Sequence, residues 1–242
     1  DYTFVLGSVL VAVIVCYVAI STEQLIFKDT YKYFEKWILI SSSLILGFAI
    51  WSMHFVGMFA CHLPEGYSFD LGLTILSYLI AAVASLFALW LTSRPTLPLP
   101  RLVIGSVLMG LGISGMHYTG MMGLVIENHH LVYDPLIVVF SVLIAISGSG
   151  LAFFLIFKYK SAIGRKSGLK LAIALTMALS IVGMHYTGMA ATTFISTHNN
   201  HVMMGYEAGQ GLLLFTILFV TSLILVAGFC VAVLELRLEA VS

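Results

Sequence analysis

The residues best suited to chemistry in this chain stand in one phrase written three times. It reads Met53-His54-Phe55-Val56-Gly57-Met58, then Met116-His117-Tyr118-Thr119-Gly120-Met121, then Met184-His185-Tyr186-Thr187-Gly188-Met189. Each copy offers one imidazole and two thioethers, and neither a carboxylate nor a thiolate. The histidine and the second methionine are four residues apart, so on a helix they share a face. The first methionine lies about 100° around that helix. Imidazole suits copper, zinc and iron, whereas thioether sulfur selects copper, Cu(I) above all. Structural zinc prefers cysteine and histidine, and calcium and magnesium want oxygen. The candidate ligands are therefore His54, His117 and His185, with Met58, Met121 and Met189 and with Met53, Met116 and Met184. The cofactor they point to is a copper ion, ahead of zinc or iron. The glycine of each phrase (Gly57, Gly120, Gly188) removes a side chain between histidine and methionine, so that a neighbouring helix or a small ligand can approach.

The same residues have plainer uses. Methionine fills apolar helices, a buried histidine can bond a serine or a carbonyl, and small residues build helix interfaces. A duplication could keep the phrase for packing alone. The repeat establishes common origin and does not by itself establish a ligand. Tyr118, Tyr186, Thr119 and Thr187 complete the phrase in the second and third copies. Their hydroxyls could bond an imidazole or a main-chain carbonyl.

The elements that must hold these residues follow from composition. Of the 242 residues 60% are hydrophobic and only 9% charged, against about 25% charged in an ordinary soluble domain. Mean hydropathy is +1.07. Such a chain cannot cover a water-facing surface. The pattern excludes a soluble enzyme, a disordered tail and a nucleic-acid binder; the net charge is zero and the basic residues are dispersed. About 20 apolar residues cross a bilayer as a helix. Seven runs qualify, at about 3–20, 37–61, 71–92, 102–126, 136–157, 170–195 and 211–234. They are too long and too continuously apolar for barrel strands. The expectation is an all-α, polytopic, multi-pass membrane protein, with residues 1–242 forming one seven-span domain.

All 11 lysines and arginines fall in alternate connections or after the last run. The other three connections hold Glu65 and Asp70, Glu127 and Asp134, and Glu207. Positive charge stays on the cytoplasmic side. The N-terminus is accordingly expected outside and the C-terminus in the cytoplasm. The chain begins at Asp1 and ends in mid-helix, which reads as an output domain cut away after 242.

Every motif copy falls on an even-numbered span and is followed by a return span. The unit is thus a two-span hairpin, and three units in one orientation imply a pseudo-threefold axis along the membrane normal with one helix left over. His54, His117 and His185 would then share one depth, roughly 10–15 Å below the outer end of their spans. Apart from Cys, Tyr and Lys170 at the very edge of its run, they are the only ionisable residues within the seven runs, and such residues mark function by default. The remaining histidines (His62, His129, His130, His198, His201) fall in the outer loops, where they could pass metal inward, make a second site, or simply meet water. Cys16, Cys61 and Cys230 have no metal-ligand spacing and read as packing residues.

The phrase Met-His-Tyr-Thr at 116–119 and 184–187 resembles the signature of the MHYT domain family, a bacterial integral membrane sensor module. The resemblance covers the whole chain. The first copy departs from it, with Phe55 and Val56 in place of Tyr and Thr. What the resemblance implies is a sensory input domain in the bacterial cytoplasmic (inner) membrane, joined to a cytoplasmic domain that makes or degrades cyclic di-GMP. It implies copper held by the Met, His and Tyr residues of the phrase, and sensing of a diatomic gas (oxygen, carbon monoxide or nitric oxide) or of the redox or copper state. The expected partners are the lipid bilayer, the gas, the signalling domain of the same polypeptide and a second copy in a homodimer. The domain itself is not expected to be an enzyme. Two further readings stay open, a proton or metal transporter using the buried histidines and a copper-dependent membrane oxidoreductase.

Overall fold

A computed structural model describes residues 2–23, 25, 33–61, 63, 67–94, 96–126, 129–163, 167–196 and 207–241. Seven helices carry the apolar runs: α1 (Tyr2–Glu23), α2 (Glu35–Phe59), α3 (Leu71–Thr92), α4 (Leu99–Met122), α5 (Pro135–Ile163), α6 (Ser167–Ala190) and α7 (Gln210–Val241). Each is long and apolar enough to cross a membrane. A helix bonds its own backbone, which is what a chain in hydrocarbon requires.

The all-α expectation holds for the spans, and the connections add five short strands: β1 (Tyr67–Asp70), β2 (Leu124–Ile126), β3 (His129–Tyr133), β4 (Thr192–Ser196) and β5 (Glu207–Ala208). They lie where α2, α4 and α6 end. β1 pairs antiparallel with β2 and β5, with Tyr67 opposite Ile126 and Phe69 opposite Ala208, and β3 pairs antiparallel with β4, with Tyr133 opposite Thr192. Two of the apolar runs are therefore shorter as helices than expected. The runs 102–126 and 170–195 leave the helix at Gly123 and Ala191, and their β-branched tails (Val125 and Ile126; Thr192, Thr193 and Ile195) become strands. Hydropathy alone does not separate a helix end from a short apolar strand, whereas β-branching favours the strand.

The first run errs the other way. α1 continues to Glu23, whose side chain is buried, so a carboxyl does lie within a helix expected to hold none. At the strand end, Asp70 caps α3 by accepting the Leu73 N–H at 2.7 Å, and Asp134 caps α5 by accepting those of Leu136 and Ile137. Their main-chain N–H groups reach into the next repeat, to the carbonyls of Gly123 and Ala191.

The motif helices α2, α4 and α6 touch one another at the centre. Around them, α3 packs between α2 and α4, α5 between α4 and α6, and α1 between α6 and α2. Chain order would pair α6 with α7, the return span after it. Space pairs α6 with α1, and the helix left outside is α7, which packs on α1 and α2. Close approach rests on small residues. A Cβ on Gly47 would lie 2.7 Å from the Ala82 Cα, and one on Gly110 would lie 2.7 Å from the Ile146 Cα. α7 turns Leu213 and Ile217 inward and leaves Leu212, Phe215, Leu218 and Phe219 on the outside, as a lipid-facing helix does.

Candidate metal centre

His54, His117 and His185 meet at the centre of the bundle. Each stands on a different inner helix, each is fully or almost fully buried, and the three Nδ1 atoms lie 3.0, 3.1 and 3.2 Å apart. The rings are nearly perpendicular to one another, at 84–86°, like the blades of a propeller.

This geometry poses a problem in the hydrogen-bond inventory. An imidazole Nδ1 has one in-plane lobe, which holds either a proton or a lone pair. Three nitrogens have two such states to choose from, so in any assignment at least two are alike. One of the three contacts must then be donor against donor or acceptor against acceptor. A cation accepting all three lone pairs removes the conflict. Three donors at about 2.0 Å from one tetrahedral ion are about 3.3 Å apart, close to the observed triangle, and such an ion keeps its fourth position free. The residues present fit a metal.

The other nitrogens lie against glycine. The Nε2 atoms of all three rings are buried with no hydrogen-bond partner, each against the backbone of another copy's glycine. A Cβ on Gly57 would come 2.5 Å from His185 Nε2, one on Gly120 would come 2.5 Å from His54 Nε2, and one on Gly188 would come 2.5 Å from His117 Nε2. The glycine of the phrase thus admits the imidazole of a neighbouring helix, and it does so cyclically around all three copies. Binding through Nδ1 places the remaining proton on Nε2, facing that glycine.

The aromatic after each histidine packs edge-on against it. The pairs are Phe55 on His54, Tyr118 on His117 and Tyr186 on His185, with ring centroids 4.7–4.8 Å apart. The tyrosine hydroxyls point away to the outer helices, Tyr118 to Ser141 at 2.8 Å and Tyr186 to Ser8 at 3.0 Å. Ser141 and Ser8 each give their own proton to a carbonyl one turn back, Val138 and Val5. The tyrosines are therefore the donors. Thr119 and Thr187 are half-buried, and among the described residues neither bonds an imidazole.

Of the six methionines, Met53, Met58, Met116, Met121 and Met184 are buried in the surrounding core, and Met189 is partly buried against it. His129 and His130 lie on β3, opposite Ser196 and Ile195 of β4; they are not part of the buried cluster, the one group of three such ligand residues found among the described residues. His62, His198 and His201 lie outside the described residues.

One feature of the motif escaped the sequence reading. Four residues before each histidine stands an isoleucine (Ile50, Ile113, Ile181), and eight before stand Leu46, Met109 and Met177. All six are buried. Leu46, Met109, Ile113, Met177 and Ile181 line a small cavity, which Ser149 and Ser180 also border. The triad is thus floored by two apolar layers. The signal was present at helical spacing, but these residue types carry no chemistry and so do not stand out.

A family model described as the bacterial signalling protein N-terminal repeat, MHYT, matches residues 47–105 and 110–168. The chain is similar to the bifunctional diguanylate cyclase/cyclic di-GMP phosphodiesterase MucR of Pseudomonas aeruginosa, 40% identical over 96% of this chain and 34% of that protein. It is similar to the signalling protein YkoW of Bacillus subtilis, 36% identical over 79% of this chain and 24% of the relative. The cyclic di-GMP phosphodiesterase NbdA of Pseudomonas aeruginosa is 39% identical over 64% of this chain and 20% of its own length. The chain thus spans about a third or less of these curated relatives. No solved structure matches it.

Proposed function

Because this chain belongs to the MHYT family of bacterial signalling proteins, we propose that it is a membrane-embedded sensory input domain whose sensing element is a copper ion. The observation that carries the reading is the convergence of three buried Nδ1 atoms on one point. His54, His117 and His185 would hold the ion. Met58, Met121 and Met189, one turn along the same helix faces, and Met53, Met116 and Met184 supply the soft sulfur that favours Cu(I) in the same core. When bound, copper would supply a coordination position open to a small ligand such as a diatomic gas. The protein's own part is to exclude water and to hold the imidazoles in one tautomer.

In the membrane, the alternation of basic connections places the strand end of the bundle outside and the C-terminus of α7 in the cytoplasm. The three motif helices and their outer partners are arranged about a pseudo-threefold axis along the membrane normal, with the triad in the outer half of an inner-membrane bundle. The name of MucR describes both synthesis and breakdown of cyclic di-GMP and that of NbdA its breakdown, which supports a cyclic di-GMP output domain following α7 in the same polypeptide. A homodimer would bring two such outputs together.

A transporter or proton path through the histidines fits less well. Inward of the triad, residues 37–53, 102–116 and 171–184 of the motif helices contain no Asp, Glu, Lys, Arg or further His. The isoleucine and Leu/Met layers present no titratable group on that side. A copper oxidoreductase shares the ligands, but among the described residues no carboxylate joins the three histidines to serve as a base.

The test is the metal content of the purified protein by mass spectrometry, with His117→Ala and His185→Ala beside the wild type. Copper near one per chain in the wild type and lost in both variants is the expected result. No copper in the wild type after loading under reducing conditions would refute the reading.

A further inference from the structure

The exit helix α7 does not pack on α6, the nearest motif helix in chain order; it lies on α1 and α2. On the buried face of α7, Gly228 takes Val18 of α1, so closely that a Cβ there would come 3.1 Å from Val18 Cγ1. Toward the other end of α1, fully buried Ser8 accepts a hydrogen bond from Tyr186 at 3.0 Å, and Tyr186 packs on His185 at a centroid distance of 4.8 Å. α1 therefore touches the histidine cluster through one residue and the exit helix through another. The equivalent clasp at Tyr118–Ser141 ties α4 to α5, and among the helices α5 packs chiefly on α4 and α6. The third equivalent is missing its donor. Ser77 of α3 bonds the Thr74 carbonyl just as Ser8 and Ser141 bond theirs, but the motif residue that corresponds to the two tyrosines is Phe55.

We infer that Ser8 and Tyr186 are positioning residues: their hydrogen bond makes α1 the element that completes the third repeat and transmits a rearrangement of the histidine cluster to α7. The two similar clasps then differ in role. Tyr118–Ser141 only braces the bundle, whereas Tyr186–Ser8 lies on the route out. α1 and α7 run in the same direction and approach closely where Gly228 receives Val18. A shift of about 1–2 Å in α1, of the size seen at helix interfaces in switching proteins, would thus be passed on as a shift of α7. The inference rests on the histidine cluster being the sensing site, and its test separates the two.

Spin labels on two exposed positions, Val226 of α7 and Leu108 of α4, report the distance between the exit helix and a motif helix in the whole chain. Tyr186→Phe should shift that distance by about 1–2 Å without any metal, and Tyr118→Phe should leave it unchanged. Phenylalanine already occupies the corresponding place in the first copy, so both variants are expected to fold. Ser8→Ala should reproduce the shift, and Ser8→Thr, which keeps the hydroxyl, should leave the wild-type distance. Equal effects of the two tyrosine changes, or none from either, would overturn the route through α1. A second arm adds Cu(I): it should move α7 in the wild type and in Ser141→Ala, and not in Ser8→Ala. A wild type that takes up no copper counts against the metal reading alone, and the metal-free arm still decides the clasp.

Discussion

Three atoms dominate at the residue scale. A single buried imidazole satisfies itself with a serine or a carbonyl; three that present Nδ1 to one another at 3.0–3.2 Å cannot all be satisfied by protons they share. The glycines are the counterpart on the far side of each ring. Gly120→Ala places a methyl group 2.5 Å from His54 Nε2. Because that atom belongs to a fully buried ring, the imidazole is expected to turn and carry its Nδ1 out of the triangle. We expect Gly120→Ala to weaken copper binding by about 10–100-fold, as changes behind a metal ligand do, with the fold retained. A competition titration with a Cu(I) chelator measures this, and unchanged affinity would show that the glycine only packs. Gly115→Ala, where the added Cβ meets only Ile80 Cγ2 at 3.4 Å, is the matched control on the same helix.

On the scale of the helix, spacing decides what each residue faces. Positions four and eight before the histidine lie on the same stripe, and there the chain places Ile50, Ile113 and Ile181, then Leu46, Met109 and Met177. These layers hold the inner helices together below the site and keep water from it. Ile113 is 2% exposed and borders the small cavity, so Ile113→Ala enlarges a void that already exists. The cost should be about 2–5 kcal/mol, read as a fall in unfolding midpoint in detergent. If the enlarged cavity takes in water, the protein survives but its copper becomes open to exchange, seen as faster loss to an external chelator. A variant as stable as wild type, with unaltered exchange, would mean the floor is not a seal.

Considered as a whole, the molecule has a direction. The strands and capped helix starts gather at one end, the described basic residues Lys36, Arg94, Arg101 and Lys170 toward the other, and the motif histidines lie nearer the strand end. Placing that end outside the cell makes a prediction that needs no metal. A cysteine at Val132, exposed on β3, should react with a membrane-impermeant maleimide added to intact cells. A cysteine at Arg94, exposed just after α3, should react only once the membrane is opened. The opposite labelling pattern would invert the topology and put the site on the cytoplasmic side.

Much of this was legible in the linear chain, because the forces that act in a bilayer act locally. Twenty apolar residues must become a helix wherever they occur, so the seven spans needed no partner to be recognised. The histidines were conspicuous because no other residue of comparable polarity interrupts those runs. Their common depth followed from counting residues along repeated helices. The chain could not say how one helix sits against another, since that depends on side chains from segments far apart. Only in the folded bundle do Gly57, Gly120 and Gly188 prove to receive the imidazole of a different repeat, does Nδ1 rather than Nε2 face the centre, and do the tyrosine hydroxyls turn away to Ser8 and Ser141. The exchange of partners is the plainest case: chain order offers α7 to α6, but α1 fills the space between α6 and α2 and bonds Tyr186, and packing, which has no memory of chain order, leaves α7 outside.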